Sequence, residues 1–128
     1  MDNIFPLKII LPLLTPSQNV YDRMHFIEQW RLGISYQWEL KALGADDDKF
    51  RVRWEEKRKV TFISYRSKLM DKGNLIGGMK QLLDALEKLG LIFFDSPAYL
   101  EDGYFQFIGK PERTEIIIEK IQKGGDKK

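Results

Sequence analysis

The feature that most constrains this chain is the spacing of its apolar residues between positions 75 and 89. Leu75, Met79, Leu82, Leu83, Leu86 and Leu89 recur at intervals of three and four. That period draws one wide apolar face on a helix and fits no strand. Gly77, Lys80, Asp84 and Lys88 fall on the opposite face, and Gly90 closes the helix. Val60 to Tyr65 precedes it with a strand pattern. Tyr104 to Ile108 and Glu115 to Ile121 follow with two more. Lys8 to Leu11 is a short β-branched run halted by Pro12 and reads as the first strand. Phe50 to Trp54 alternates Phe50, Val52 and Trp54 with Arg51 and Arg53, the pattern of a half-buried strand or a basic ribbon. Leu91 to Phe94 is a short apolar run leading into Asp95-Ser96-Pro97.

A second helix is expected from about residues 21–24 to Leu43, with Gly44 as its left-handed stop. Phe26, Trp30, Ile34 and Trp38 recur every fourth residue along it and form one apolar stripe, read as core or dimer packing. The expected fold is therefore α/β of the α+β type: a small mixed sheet packed against two long helices. Residues 1–122 make one domain, and 123–128 form a disordered tail.

Composition excludes several chemistries. No cysteine is present, so there are no disulfides, thiolate zinc sites or cysteine nucleophiles. The single histidine, His25, rules out a multi-histidine metal site and is expected to be structural. No apolar run is long enough to cross a membrane, and no basic leader opens the chain, so the expected setting is cytoplasmic. The acidic triplet Asp46-Asp47-Asp48 lacks the glycine and distal glutamate of an EF-hand loop.

The net charge is only +2, but it is unevenly spread. Residues 57–80 hold Lys57, Arg58, Lys59, Arg66, Lys68, Lys72 and Lys80 against one acid, Asp71. Charge concentrated in this way points to a polyanionic partner. Trp54, flanked by Arg51, Arg53 and Lys57, is the tryptophan best placed to touch nucleic acid. Asn74 is a candidate helix cap. Gly77 and Gly78 in the first turn cost up to ~1 kcal/mol each against alanine, which implies close approach of another chain or a phosphate there. Asp71, Lys80 and Asp95 are the residues that, brought together, would suit Mg²⁺ and a phosphate.

Asp71-Lys72-Gly73-Asn74, then Lys80, Asp84-Ala85-Leu86, Gly90 and Asp95-Ser96-Pro97 resemble the RusA family of Holliday-junction resolvases. The family pattern is D-x-D-N, a lysine, D-A-L, a glycine and D-D. Leu11-Pro12 with Pro16-Ser17-Gln18-Asn19, and the closing Arg113-Thr114-Glu115-Ile116, resemble the family's first and last strands. The resemblance implies a homodimeric, Mg²⁺-dependent endodeoxyribonuclease, with Mn²⁺ as a possible substitute. Its substrate would be the four-way junctions of DNA recombination and repair. It also implies that Asp71 and Asp95 hold the metal and that Lys80 joins them in catalysis. Arg66, Lys68, Lys72 and Lys80 are the expected DNA-binding residues. Gly73 stands where the pattern has its second aspartate, and Phe94 where it has the first aspartate of D-D. The loss at 73 removes an expected ligand, so a catalytically inactive branched-DNA-binding protein on the same fold is the alternative expectation. A homodimer is expected on physical grounds too. Two apolar helix faces and three tryptophans are much for a small sheet to cover.

Overall fold

A computed structural model describes residues 4–121. The expected disordered tail at 123–128 lies outside the described residues. Four strands, β1 (Leu7–Leu11), β2 (Arg58–Arg66), β3 (Leu100–Ile108) and β4 (Arg113–Lys120), form one mixed sheet in the order β1-β4-β2-β3. β1 pairs with β4 and β4 with β2, both antiparallel, whereas β2 and β3 are parallel. A parallel pair needs a crossover connection. Here it is made by α3 (Lys72–Gly78) and α4 (Lys80–Lys88). Two further helices, α1 (Gln18–Arg23) and α2 (Phe26–Ala42), lie between β1 and β2.

The apolar face read from residues 75–89 is the centre of the core. Leu75, Met79, Leu82, Leu83, Leu86 and Leu89 are all buried. With them are buried Ile9 and Leu11 of β1, Val60 and Phe62 of β2, and Ile116 and Ile118 of β4. Each such side chain contributes ~1.5–3 kcal/mol by leaving water. The alternation within each strand puts these residues on one sheet face. The opposite face carries Lys8, Ile10, Lys59, Phe105 and Phe107, all exposed.

Of the expected pair of long helices, the first stands as α2 but starts later than expected, and the second is split. The first breaks at Met24 and His25, whose ψ values are 143° and 147°. His25 starts a new helix: its Nδ1 accepts from the Ile27 amide at 3.2 Å, and Glu28 Oε1 accepts from the His25 amide at 3.1 Å. This reciprocal capping box favours two helices over one. The second breaks at Met79, between α3 and α4. Gly44 does adopt the left-handed conformation, at φ 77°, and so does Gly90, at 82°.

Phe50 to Trp54 is not a strand. Asp48–Phe50 is a single 3-10 turn, and the chain then runs irregularly to β2. Arg58 takes the place of a ladder. It is fully buried, and its guanidinium donates to the carbonyls of Phe50, Arg51 and Leu91. Those acceptors are satisfied by a side chain, so no neighbouring strand is required.

The aromatic stripe of α2 also differs from expectation. Tyr36 and Leu40 are its buried residues, while Phe26, Trp30 and Trp38 are 72%, 66% and 65% exposed. Periodicity shows that apolar residues share a face. It does not show whether that face points inward.

Candidate functional site

The β2–α3 connection brings Asp71 to the head of α3. Gln106 of β3 fixes this loop from both sides: its Oε1 accepts from the Met70 amide at 3.0 Å, and its Nε2 donates to the Met70 carbonyl at 2.6 Å. Asp71 follows directly, as the residue capping α3. Its carbonyl accepts from the Leu75 amide at 3.0 Å, but its carboxylate makes no capping bond and is exposed. Lys72, next in the chain, lines a groove with Ile76, Asp102, Gly103, Tyr104 and Phe105.

Asp95 sits in the turn between α4 and β3, closed by bonds from the Tyr99 and Leu100 amides to the Ser96 carbonyl, each 2.9 Å. It lines a cleft of about 480 Å³ with Lys57, Ser96, Pro97, Leu100, Glu101 and Asp102. Asp102 therefore borders both hollows. Its Oδ2 accepts from the Tyr104 hydroxyl at 2.5 Å. Burial pushes the Tyr104 phenol well above the usual tyrosine range, and the charges of Asp102 and Asp95 push it further in the same direction. The raised value keeps the Tyr104 hydroxyl a hydrogen-bond donor to Asp102 at neutral pH.

Asp71 lines neither hollow. Lys80, the first residue of α4, is exposed and also lies outside both. Among the described residues, no three His, Cys, Asp or Glu side chains converge to hold a metal. Asp95 and Asp102 line the same cleft, and both supply the hard oxygen that Mg²⁺ takes. Mg²⁺ is often held by one or two protein carboxylates with water and phosphate oxygens completing its shell. Two carboxylates bordering one cleft are the kind of oxygen donor Mg²⁺ takes, and Asp71, the other expected ligand, does not line that cleft.

From the sequence, Glu101 or Asp102 could approach the acidic residues from the loop before the Tyr104 strand, but no spacing singled out Asp102; in the structure β3 already starts at Leu100 and Asp102 lies within it. The signal was present: Leu100, Asp102, Tyr104 and Gln106 alternate along β3 and face the helices. The basic segment is also reduced. Arg58 is structural, and Arg66, expected to bind DNA, is only 9% exposed. Its guanidinium donates to Ser64 Oγ at 2.9 Å and to the Thr15 carbonyl at 3.2 Å, tying β2 to the loop before α1. Burial lowers its pKa from the usual guanidinium value, although nearby Glu112 opposes this. Lys59, Lys68, Lys72 and Lys80 remain exposed, and Lys57 is half-buried.

Asn74 does not cap α3; it serves the first turn of α1 instead. It lies inside α3, and its Oδ1 accepts from the Asn19 amide at 3.2 Å. Gly77 and Gly78 do mark a close approach, but to this chain's own Pro16–Gln18 segment. A Cβ on Gly78 would overlap the Pro16 carbonyl oxygen, and one on Gly77 the Gln18 side chain. Gly73 is different: it is helical, and a Cβ there meets nothing nearer than Asp71 Oδ2 at 3.7 Å. In comparisons with known proteins, no family model and no curated sequence matches the chain.

Proposed function

We propose that this chain binds branched DNA and hydrolyses it as a RusA-like, Mg²⁺-dependent endonuclease. The supporting observation is the string of carboxylates beside edge strand β3. Asp95 and Asp102 share one cleft, Asp102 opens onto the Lys72 groove, and Gln106 holds the Met70 backbone just before Asp71 and Lys72. Lys57 and Lys72 flank the acids with positive charge. Bound there, the ion would supply an activated water and neutralise charge on the transferring phosphate. Asp95 and Asp102 would orient it, and Asp71 would add negative charge at the head of α3. Lys68 and Lys72 would position the phosphate backbone, whereas Lys80 would contact it further along. We infer also a two-fold dimer seated on the exposed Phe26, Trp30 and Trp38 face of α2, since a two-fold junction suits a two-fold protein.

A second reading is favoured by one residue. Gly73 supplies no carboxylate where the RusA-like pattern has one, so the chain would bind junctions without cutting them. Junction nicking in Mg²⁺ and in Mn²⁺ separates the two. Wild-type cleavage abolished by Asp95→Asn and by Asp102→Asn supports the enzyme. Junction binding with no cleavage, and cleavage gained in Gly73→Asp, supports the inactive reading with an eroded site. The helical backbone and open space at Gly73 admit the aspartate. Lys72→Ala should flatten the salt dependence of binding by about one unit of slope. Equal affinity for a junction and a linear duplex refutes both readings.

A further inference from the structure

Trp54 is 81% exposed, the highest value among the exposed large hydrophobic residues. It stands on a turn that is built rather than loose. Glu55, the next residue, holds a left-handed backbone at φ 56°, a conformation side-chain-bearing residues seldom adopt. Such strain persists only where surrounding bonds over-determine it. Those bonds are present. The Arg53 amide donates to Glu56 Oε1 at 2.9 Å, and the Glu56 amide to the Arg53 carbonyl at 3.1 Å. Glu56 Oε2 pairs at 3.2 Å with the fully buried Arg58. The Tyr99 hydroxyl reaches Glu55 Oε2 at 3.4 Å.

Behind the turn the rings meet edge-on in series. Trp54 meets Phe93 edge-on at 5.3 Å, and Phe93 meets Tyr99 at 4.8 Å. The indole is braced from behind and open in front. A hollow beside it is lined by Arg53, Lys57 and Lys120 together with Glu55, Glu56 and Ile121. Glu56 is paired with Arg58, which leaves Arg53, Lys57 and Lys120 against Glu55, with Lys120 Nζ also 5.0 Å from the centroid of the Phe5 ring. Lys57 also lines the Asp95 cleft, which makes the two hollows neighbours.

We propose that Trp54 is a stacking platform for an unpaired nucleobase, with Arg53, Lys57 and Lys120 holding the phosphates on either side of it. An aromatic face ringed by cations is the arrangement that binds single-stranded nucleic acid without reading sequence. A base inside a duplex has both faces covered by its neighbours, so only a splayed base offers one to the indole. An apolar peptide fits less well, because it would strip water from Arg53 and Lys57 and return no partner. The inference rests on the nucleic-acid reading above and adds its substrate class: branched or gapped DNA with bases unpaired near the carboxylate cleft.

The test uses a Trp30→Phe, Trp38→Phe double variant, in which Trp54 is the sole tryptophan. Oligothymidylate should quench its emission saturably, and a blunt duplex of equal length should not. In the otherwise wild-type chain, Trp54→Ala should weaken oligothymidylate binding about 5- to 150-fold, the effect of losing one stacked base. Trp54→Phe should restore most of it. Trp54→Ala should leave the salt slope unchanged, whereas Lys57→Ala should flatten it. Junction and oligothymidylate binding that Trp54→Ala leaves intact overturns this inference and spares the proposed function. A wild-type chain that binds no DNA of any form overturns both. Trp54 emission that responds equally to duplex and single strand overturns the preference for an unpaired base.

Discussion

Replacing Gly78 by alanine sets two effects against each other, and the structure decides the sign. Helix propensity favours alanine by ~1 kcal/mol. Against that, a Cβ at 78 overlaps the Pro16 carbonyl oxygen and stands 3.1 Å from the Pro16 carbonyl carbon and 3.3 Å from that of Ser17. All three atoms are main chain, so no rotamer change relieves them. Overpacking of this kind costs ~1–3 kcal/mol, and more where backbone must shift. Moving the Pro16–Ser17 segment also strains the Asn19–Asn74 bond and the Ser17 cap on Val20, each worth ~1 kcal/mol. The net expectation is destabilisation by ~1–3 kcal/mol, or a Tm lower by roughly 4–12 °C in a domain of this size. Gly77→Ala should cost somewhat less, because the Gln18 amide end can rotate away, although Gln18 Cβ at 2.9 Å cannot and still requires a small backbone shift. Gln18→Ala should recover part of the Gly77→Ala loss and none of the Gly78→Ala loss. Thermal and urea unfolding of the single and double variants give the comparison. A Gly78→Ala protein as stable as wild type, or more so, refutes the close-approach account.

Four further outcomes follow from other contacts. Tyr36 is buried with a hydroxyl that has no hydrogen-bond partner among the described residues, so Tyr36→Phe should stabilise by ~1 kcal/mol; a Tm that falls would show a bond to its oxygen. Arg58→Lys should cost ~3–5 kcal/mol, since one ammonium cannot span the carbonyls of Phe50, Arg51 and Leu91; near-neutral urea unfolding would contradict this. Arg113, first, and then Lys8 hold the Glu115 carboxyl below its usual 4.5, so its stabilisation is present above that pH and lost as pH falls through the lower folded value. Glu115→Gln should therefore be less stable than wild type at neutral pH, with the gap closing in acid; a gap independent of pH would remove the ion pairs from the account. Trp30→Asp with Trp38→Asp should turn a two-fold dimer into a folded monomer, and sedimentation of the wild type as a monomer at micromolar concentration would sink the dimer.

What the sequence determined by itself was local and periodic. The face of Leu75 to Leu89, the strand from Val60 and the stops at Gly44 and Gly90 were legible because neighbours within one or two turns decide them. Tertiary structure decided whatever depends on a distant partner. Gly77 and Gly78 are required by Gln18 and Pro16, about sixty residues away, whereas the break at His25 is local, since Glu28, three residues on, completes its capping box. Phe50 to Trp54 has strand alternation, yet Arg58 takes its carbonyls and no strand forms. The α2 stripe is apolar but faces outward, because Tyr36 and Leu40 fill the inner side. Asp102 joins the Asp95 cleft only because β3 begins at Leu100 and lies parallel to β2. A residue's neighbours along the chain fix its conformation, but the packing of whole elements fixes which charges and rings end up facing each other.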